Sequence, residues 1–302
     1  MPRISRNQVM ENNKDHIISY FLNADRRTYT LDDTNRIMEE LKDCQVILKT
    51  TKLSDFQMFL IKNEILSFFE IELPRRTTSR FVFGEPSVYE LAVGINKKSY
   101  LSHYSAVYLH NLTNNLPKKI FTNVEQAVKY RYSPYDPDEL EQKNIDLAFS
   151  RPMRETNQIA ELKIDASNKY KIYMLNGKNH GQVGVGEIDI NGISLPITTI
   201  ERTLIDIVVR PNYAGGVNEV LYAFTEAKGK ISVNKLLSVL NKMNFIYPYY
   251  QLIGFYLEKA GYPESTLKLF KQYEIKYNFY LTYQMKDKEF SERWRVYYPK
   301  GF

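Results

Sequence analysis

Apolar residues near the start of the chain recur at helical spacing and then switch to every second position. Ile17, Ile18, Phe21 and Leu22 predict a helix over 14–22. Thr30 is placed to cap a second helix, in which Leu31, Thr34, Ile37, Met38 and Leu41 form one stripe. Val46-Ile47-Leu48 reads as a short strand or the end of a turn. Ser54 reads as the N-cap of a third helix carrying Phe56, Phe59, Leu60 and Ile65. The period then becomes two, at Phe69, Ile71 and Leu73. Pro74 to Arg80 reads as a basic loop, and Phe81-Val82-Phe83 resumes the strand.

Farther on, Ser99 is expected to cap a helix with Leu101, Tyr104, Tyr108 and Leu112 on one face. Lys118–Asn123 predicts a strand and Tyr132–Asp138 an exposed loop. Tyr170–Leu175, Gln182–Ile190 and Ile193–Ile197 read as strands punctuated by Asn176-Gly177 and Asn191-Gly192, a strong hairpin signal. From Thr199 to about Phe270 the pattern is helical, broken at Pro211 and Gly215-Gly216. Ser232 stands at one cap, Pro248 and Pro263 in first turns and Gly261 at a stop. Trp294, Val296 and Tyr298 alternate with Arg293, Arg295 and Tyr297 and predict a closing strand.

Helix, strand, basic loop, strand is the order of a winged helix, in which a helix enters the major groove and the hairpin touches the DNA backbone. Lys52, Lys62, Arg75, Arg76 and Arg80 are the candidate phosphate contacts. Composition adds little: 41 basic against 35 acidic residues leave a formal charge of +6, a surplus that matters only where the bases cluster. The single Cys44 excludes an internal disulfide and a cysteine metal site. Without a long apolar run or a secretion signal, the expectation is a cytoplasmic protein with no membrane partner.

Signals for chemistry are weak. His103 and His110 lie seven apart, too far along a helix for one metal. Gly184-Val185-Gly186 lacks the third glycine and the helix of a dinucleotide loop. Arg202 and Asp206 at i,i+4 describe an intrahelical ion pair, beside Glu201. No catalytic residue, metal or cofactor is called for, and the expectation is a non-enzyme.

Two segments resemble AbiEi-family antitoxins of type IV toxin–antitoxin (abortive infection) systems. Ser99-Tyr100-Leu101-Ser102-His103-Tyr104-Ser105-Ala106 with Leu109-His110-Asn111-Leu112-Thr113 is similar to the family's "YLSH-SA-LHGL" segment, with Asn111 in place of its glycine. Ile200-Glu201-Arg202-Thr203-Leu204-Ile205-Asp206 followed by Arg210-Pro211-Asn212-Tyr213-Ala214-Gly215-Gly216-Val217 is similar to its "ERTLID…RP-YAGG" segment. The resemblance covers about residues 60 to 260. It implies an α+β protein with an N-terminal winged helix-turn-helix that represses its own operon and a C-terminal domain that counters a nucleotidyltransferase toxin. The expected division is 1–90 for the DNA-binding domain and 91–302 for the antitoxin-like domain, a mixed α/β unit ending in a helical bundle. Ser102, His103, His110, Glu201, Arg202, Asp206, Gly215 and Gly216 carry the motifs. The expected partners are double-stranded DNA of the chain's own promoter and the toxin. A protein-interaction module without DNA binding is the alternative, followed by an enzyme acting on nucleic acid.

Overall fold

The computed structural model describes residues 4–127, 140–164 and 168–302. The expected loop at 132–138 lies outside them. The fold is mixed α/β and divides into two compact units, Met1–Ile95 with Gln158–Ile172, and Asn96–Asn157 with Tyr173–Phe302. This discontinuous division differs from a single cut at 90/91, because the chain returns to the first unit through residues 158–172. Among the described residues no helix is long and apolar enough to cross a membrane.

The first unit begins with α1 (Arg6–Asn12), α2 (Lys14–Leu22), β1 (Thr28–Tyr29), α3 (Leu31–Asp43), α4 (Leu53–Lys62), β2 (Leu66–Leu73), β3 (Arg76–Phe83) and α5 (Val88–Val93). Thr30 starts α3 through a capping box. Its hydroxyl accepts the Asp33 N–H, and the Asp33 carboxylate accepts the Thr30 N–H at 2.9 Å, an arrangement that contributes about 1 kcal/mol. The apolar stripes of α2, α3 and α4 meet in one core containing Ile17, Phe21, Ile37, Met38, Leu41, Phe56, Phe59 and Leu60. Val46–Leu48 forms no strand. Gln45 turns the chain at φ 57, and the N–H of Val46 returns to the Leu41 carbonyl. Ser54 is not the cap of α4, whose N-cap is Lys52, two residues earlier, with no side-chain cap bond.

The expected loop over 74–80 is also shorter than the sequence predicts. β2 and β3 pair continuously from Leu66↔Phe83 to Leu73↔Arg76, leaving a two-residue turn of Pro74 and Arg75. Cross-strand pairing extends the strand through Thr77–Arg80, whose polar side chains hide its period. β1 joins the far side of β3.

The second unit opens with β4 (Tyr100–Leu101), α6 (His103–Leu109), β5 (Lys119–Glu125) and α7 (Gln142–Ser150). Ser102, not Ser99, stands at the N-cap of α6, because Tyr100 and Leu101 are drawn into pairing with Asn123, Thr122 and Ile197. The chain then supplies β6 (Ile159–Lys163) to the first unit, where Ile71↔Leu162 and Glu72↔Glu161 are in register. It re-enters the second unit within β7 (Lys169–Gly177). Asn176-Gly177 ends β7 without a hairpin to the next strand. β8 (Val185–Ile190) and β9 (Ile193–Thr198) do form the hairpin expected at Asn191-Gly192, whose φ values of 55 and 79 suit a type I′ turn. The strand order here is β7-β5-β4-β9-β8.

The helical part follows: α8 (Ile200–Val209), a 3-10 turn at Pro211–Ala214, α9 (Val217–Glu226), α10 (Val233–Met243), α11 (Tyr249–Lys259) and α12 (Glu264–Leu267). Residues Glu201–Val208 of α8 are all buried. Ser232 caps α10 as expected. A small sheet of β10 (Phe279–Tyr280), β11 (Lys288–Ser291) and β12 (Val296–Pro299) closes the unit, in the order β10-β12-β11. The closing strand is thus shorter than the alternation from Arg293 predicts. Trp294 precedes it and lies buried against α11.

Candidate nucleic-acid interface and motif cluster

The basic residues of the first unit separate into two kinds. Arg75 and Arg76 are exposed at the β2–β3 turn, while Lys52 and Lys62 are exposed at opposite ends of α4. Ten residues at 1.5 Å each put those lysines ~15 Å apart along the axis. Between them α4 shows solvent an apolar pair, Met58 at 67% and Ile61 at 39% exposure. The Glu72 carboxylate near the hairpin tip is held by Lys163 at 2.8 Å.

Arg80 corrects the sequence reading. It is only 7% exposed. Its guanidinium donates to the Gly94 carbonyl at 2.8 and 3.0 Å, and also to the Ile95 and Ser79 carbonyls and the Thr78 hydroxyl. A phosphate contact would require giving up these bonds, so Arg80 ties the hairpin to the end of α5. Burial lowers its pKa, with nearby Arg76 acting in the same direction and Asp33 opposing.

An open groove of about 730 Å³ beside α2 and α3 is lined by Tyr20, Arg26, Arg36 and Cys44, among others. Both arginines are already engaged by Asp33, Arg26 at 2.9 Å and Arg36 in closer contact. Burial works to raise the Asp33 pKa, but the hydrogen bonds from Thr30 and Arg26 outweigh it and bring it to about 2.

In the second unit the motif residues assemble around α6 and α8. His103 takes φ 49 at the start of α6, its Nδ1 lies 3.0 Å from the Ser102 hydroxyl, and its ring meets Tyr213 edge-on at 5.5 Å. Burial, reinforced by Arg202 and Arg210, pushes its pKa down to about 3, so it is neutral. His110 caps the other end of α6 and bonds the Thr198 carbonyl through Nε2 at 2.6 Å. Its pKa is lowered mainly by burial.

The expected i,i+4 pair is present and buried: Arg202 Nε donates to Asp206 at 2.8 Å. Arg202 also donates to the Val183 carbonyl at 2.6 Å and lies 3.8 Å from Glu125. Burial opposes its charge, yet Asp206, Tyr100 and Glu125 together raise its pKa. Burial moves Asp206 upward, against the pull of Arg202. The short contact supports an ionised pair. Glu201 turns the other way, to Lys235 at 3.2 Å.

Glu125 is a residue that sequence reasoning missed. Its carboxylate accepts the N–H groups of His180 and Gln182 at 3.0 and 2.9 Å, anchoring the loop before β8. Gly184 completes that anchor, because a Cβ there would stand 2.7 Å from Cβ of Arg202. Glu219 was missed too. It accepts from Tyr104, Thr113 and Asn115 at 3.1–3.3 Å and packs beside Gly215. No local pattern marks either, since their partners lie tens of residues away. Gly215 and Gly216, at φ 85 and 101, let the 3-10 turn pass into α9.

The four groups that an enzyme reading would bring together have separate partners. His103 goes to Ser102, His110 to a main-chain carbonyl, Glu201 to Lys235 and Asp206 to Arg202. Among the described residues no three His, Cys, Asp or Glu side chains are grouped to hold a metal ion.

No family model matches the chain. No curated protein matches it either. Among solved structures, the crystal structure of the RV2827C protein from Mycobacterium tuberculosis is similar over 95% of this chain and 91% of that chain, at 13% identity and a TM-score of 0.57, a likeness of fold.

Proposed function

We propose that this chain is an antitoxin-like transcriptional regulator whose first unit is a winged helix-turn-helix bound to operator DNA. The observation that carries the reading is the element order α2-β1-α3-α4-β2-β3 with strands arranged β1-β3-β2, all antiparallel, in which β2 and β3 are joined by the two-residue turn Pro74-Arg75 and Arg75 and the adjoining Arg76 are exposed. That order suits a recognition helix followed by a wing. α4 is then the groove-facing helix, and its exposed Met58 and Ile61 suit apolar contact with thymine methyl groups. Lys52, Lys62, Arg75 and Arg76 are the phosphate contacts. Arg80 takes no direct part. The motif cluster around α6 and α8 belongs to the unit that counters a nucleotidyltransferase toxin, supported by its resemblance to AbiEi-family segments.

Fluorescence anisotropy with a duplex from the chain's own promoter tests the DNA half. The Arg75→Glu/Arg76→Glu variant should bind more weakly and lose about 2 from the slope of log K against log salt, near 0.9 per phosphate contact. Unchanged affinity and slope would remove the wing from the interface. Co-expression with an adjacent nucleotidyltransferase tests the other half, with growth rescue as the expected result.

A further inference from the structure

β8 ends the strand order of the second unit among the described residues. The Thr199 N–H donates to the Gly184 carbonyl at 2.8 Å. The register Gly186↔Ile197, Ile188↔Leu195 and Ile190↔Ile193 carries that hydrogen-bonded phase along the hairpin two residues at a time. The intervening residues, Val185, Glu187 and Asp189, therefore direct their main-chain groups away from β9. The Gln182 carbonyl takes the Val185 N–H at 3.0 Å. The N–H and C=O of Glu187 and Asp189 face the open edge.

Edge strands are often blunted by lysine, proline or a bulge. The segment Val185-Gly186-Glu187-Ile188-Asp189-Ile190 has no lysine or proline and pairs with β9 without interruption. Its two sides differ in character. Glu187 and Asp189 share one face and are exposed, while Ile188 and Ile190 share the other and are half-buried. Glu187 accepts a hydrogen bond from the Ser194 hydroxyl at 2.7 Å, and Asp189 accepts the Gly192 N–H at 3.0 Å. Each carboxylate keeps acceptor capacity for a cation.

We propose that β8 accepts an extended segment of another protein as an added strand, with lysine or arginine opposite Glu187 and Asp189 and β-branched residues opposite Ile188 and Ile190. Main-chain bonds supply the attachment, and the alternate side chains supply selectivity. A second copy of this chain is a poor occupant. Pairing two β8 strands about a two-fold axis sets Glu187 against Asp189 or against itself, and like charges directly opposite destabilise a pair. This inference is independent of DNA binding by the first unit.

The test uses the full chain and a synthetic peptide of alternating lysine and valine, titrated by calorimetry and by amide NMR. Binding is expected, with exchange protection gained at the Glu187 and Asp189 amides. Glu187→Lys/Asp189→Lys, a double change at exposed positions whose folding is checked by the unfolding midpoint, is expected to weaken binding by about tenfold through loss of two exposed ion pairs. Two further peptides of identical charge carry N-methyl groups on one or the other alternate set of amides. Only the set facing β8 should abolish binding. Equal affinity of the two methylated peptides, indifference to the double charge reversal, or failure of the parent peptide to bind each overturns the proposal.

Discussion

Gly254 lies in the middle of α11, where glycine costs a helix about 1 kcal/mol relative to alanine. Propensity alone therefore predicts that Gly254→Ala stabilises the protein. Packing predicts the opposite. A Cβ at this position would stand 2.1, 2.4 and 2.6 Å from Cζ3, Cη2 and Cε3 of Trp294, against ordinary carbon contacts of roughly 3.5–4.0 Å. The indole cannot simply slide aside. Its Nε1–H donates to Glu258 at 2.6 Å, Phe270 meets it edge-on at 5.6 Å, and the Trp294 carbonyl accepts from Gln251 at 2.7 Å. Expelling a ring of this size from a core costs about 3–5 kcal/mol, so the helix gain leaves a net loss of about 2–4 kcal/mol. Trp294 is the chain's one tryptophan, so its emission reports the site directly. Denaturant unfolding should show a lower midpoint for Gly254→Ala and a red-shifted native spectrum. In the Trp294→Leu background the same substitution, followed by circular dichroism, should recover most of the loss. A Gly254→Ala protein as stable as the parent, with unchanged emission, would refute the reasoning.

Other substitutions separate structural from functional roles. Arg80→Ala should destabilise the first unit by about 1–3 kcal/mol, because the Gly94 carbonyl loses its buried donors, while the salt slope of DNA binding stays unchanged. Arg202→Met strands Asp206 and Glu125 in the interior and should cost about 3–5 kcal/mol in denaturant unfolding. A loss under 1 kcal/mol would show that those carboxylates relax to solvent. His103 is neutral in the fold with a pKa near 3, whereas an unfolded histidine titrates near 6.5. The unfolded state therefore binds the proton first: stability is complete above about pH 6.5 and falls as the pH drops from there towards 3. His110 and His180 are lowered as well and act in the same sense. Unfolding midpoints should decline as the pH falls from about 6.5 to 5. The decline should be shallower in His103→Asn, since asparagine tolerates the positive φ; parallel curves would remove His103 from the account.

Much of the local structure was legible because its causes are local. The stripes of α2 and α3, the Thr30 cap, the Asn191-Gly192 turn and the Arg202–Asp206 spacing each depend on residues a few positions apart. The hairpin after α4 was legible as a hairpin, but its extent was not. Thr77 to Arg80 joins β3 through hydrogen bonds to β2, and polar side chains give such a segment no apolar period.

The amino-acid sequence by itself determined where most helices and turns form and which motif residues exist. Tertiary structure decided what those residues do. It buried Arg80 under the carbonyls of Gly94 and Ile95, removing it from a set of arginines that look alike in sequence. It returned residues 158–172 to the first unit. It brought Glu125 to Arg202 from 77 positions away. Burial and long-range pairing depend on which surfaces meet, and periodicity within one segment carries no information about its partner.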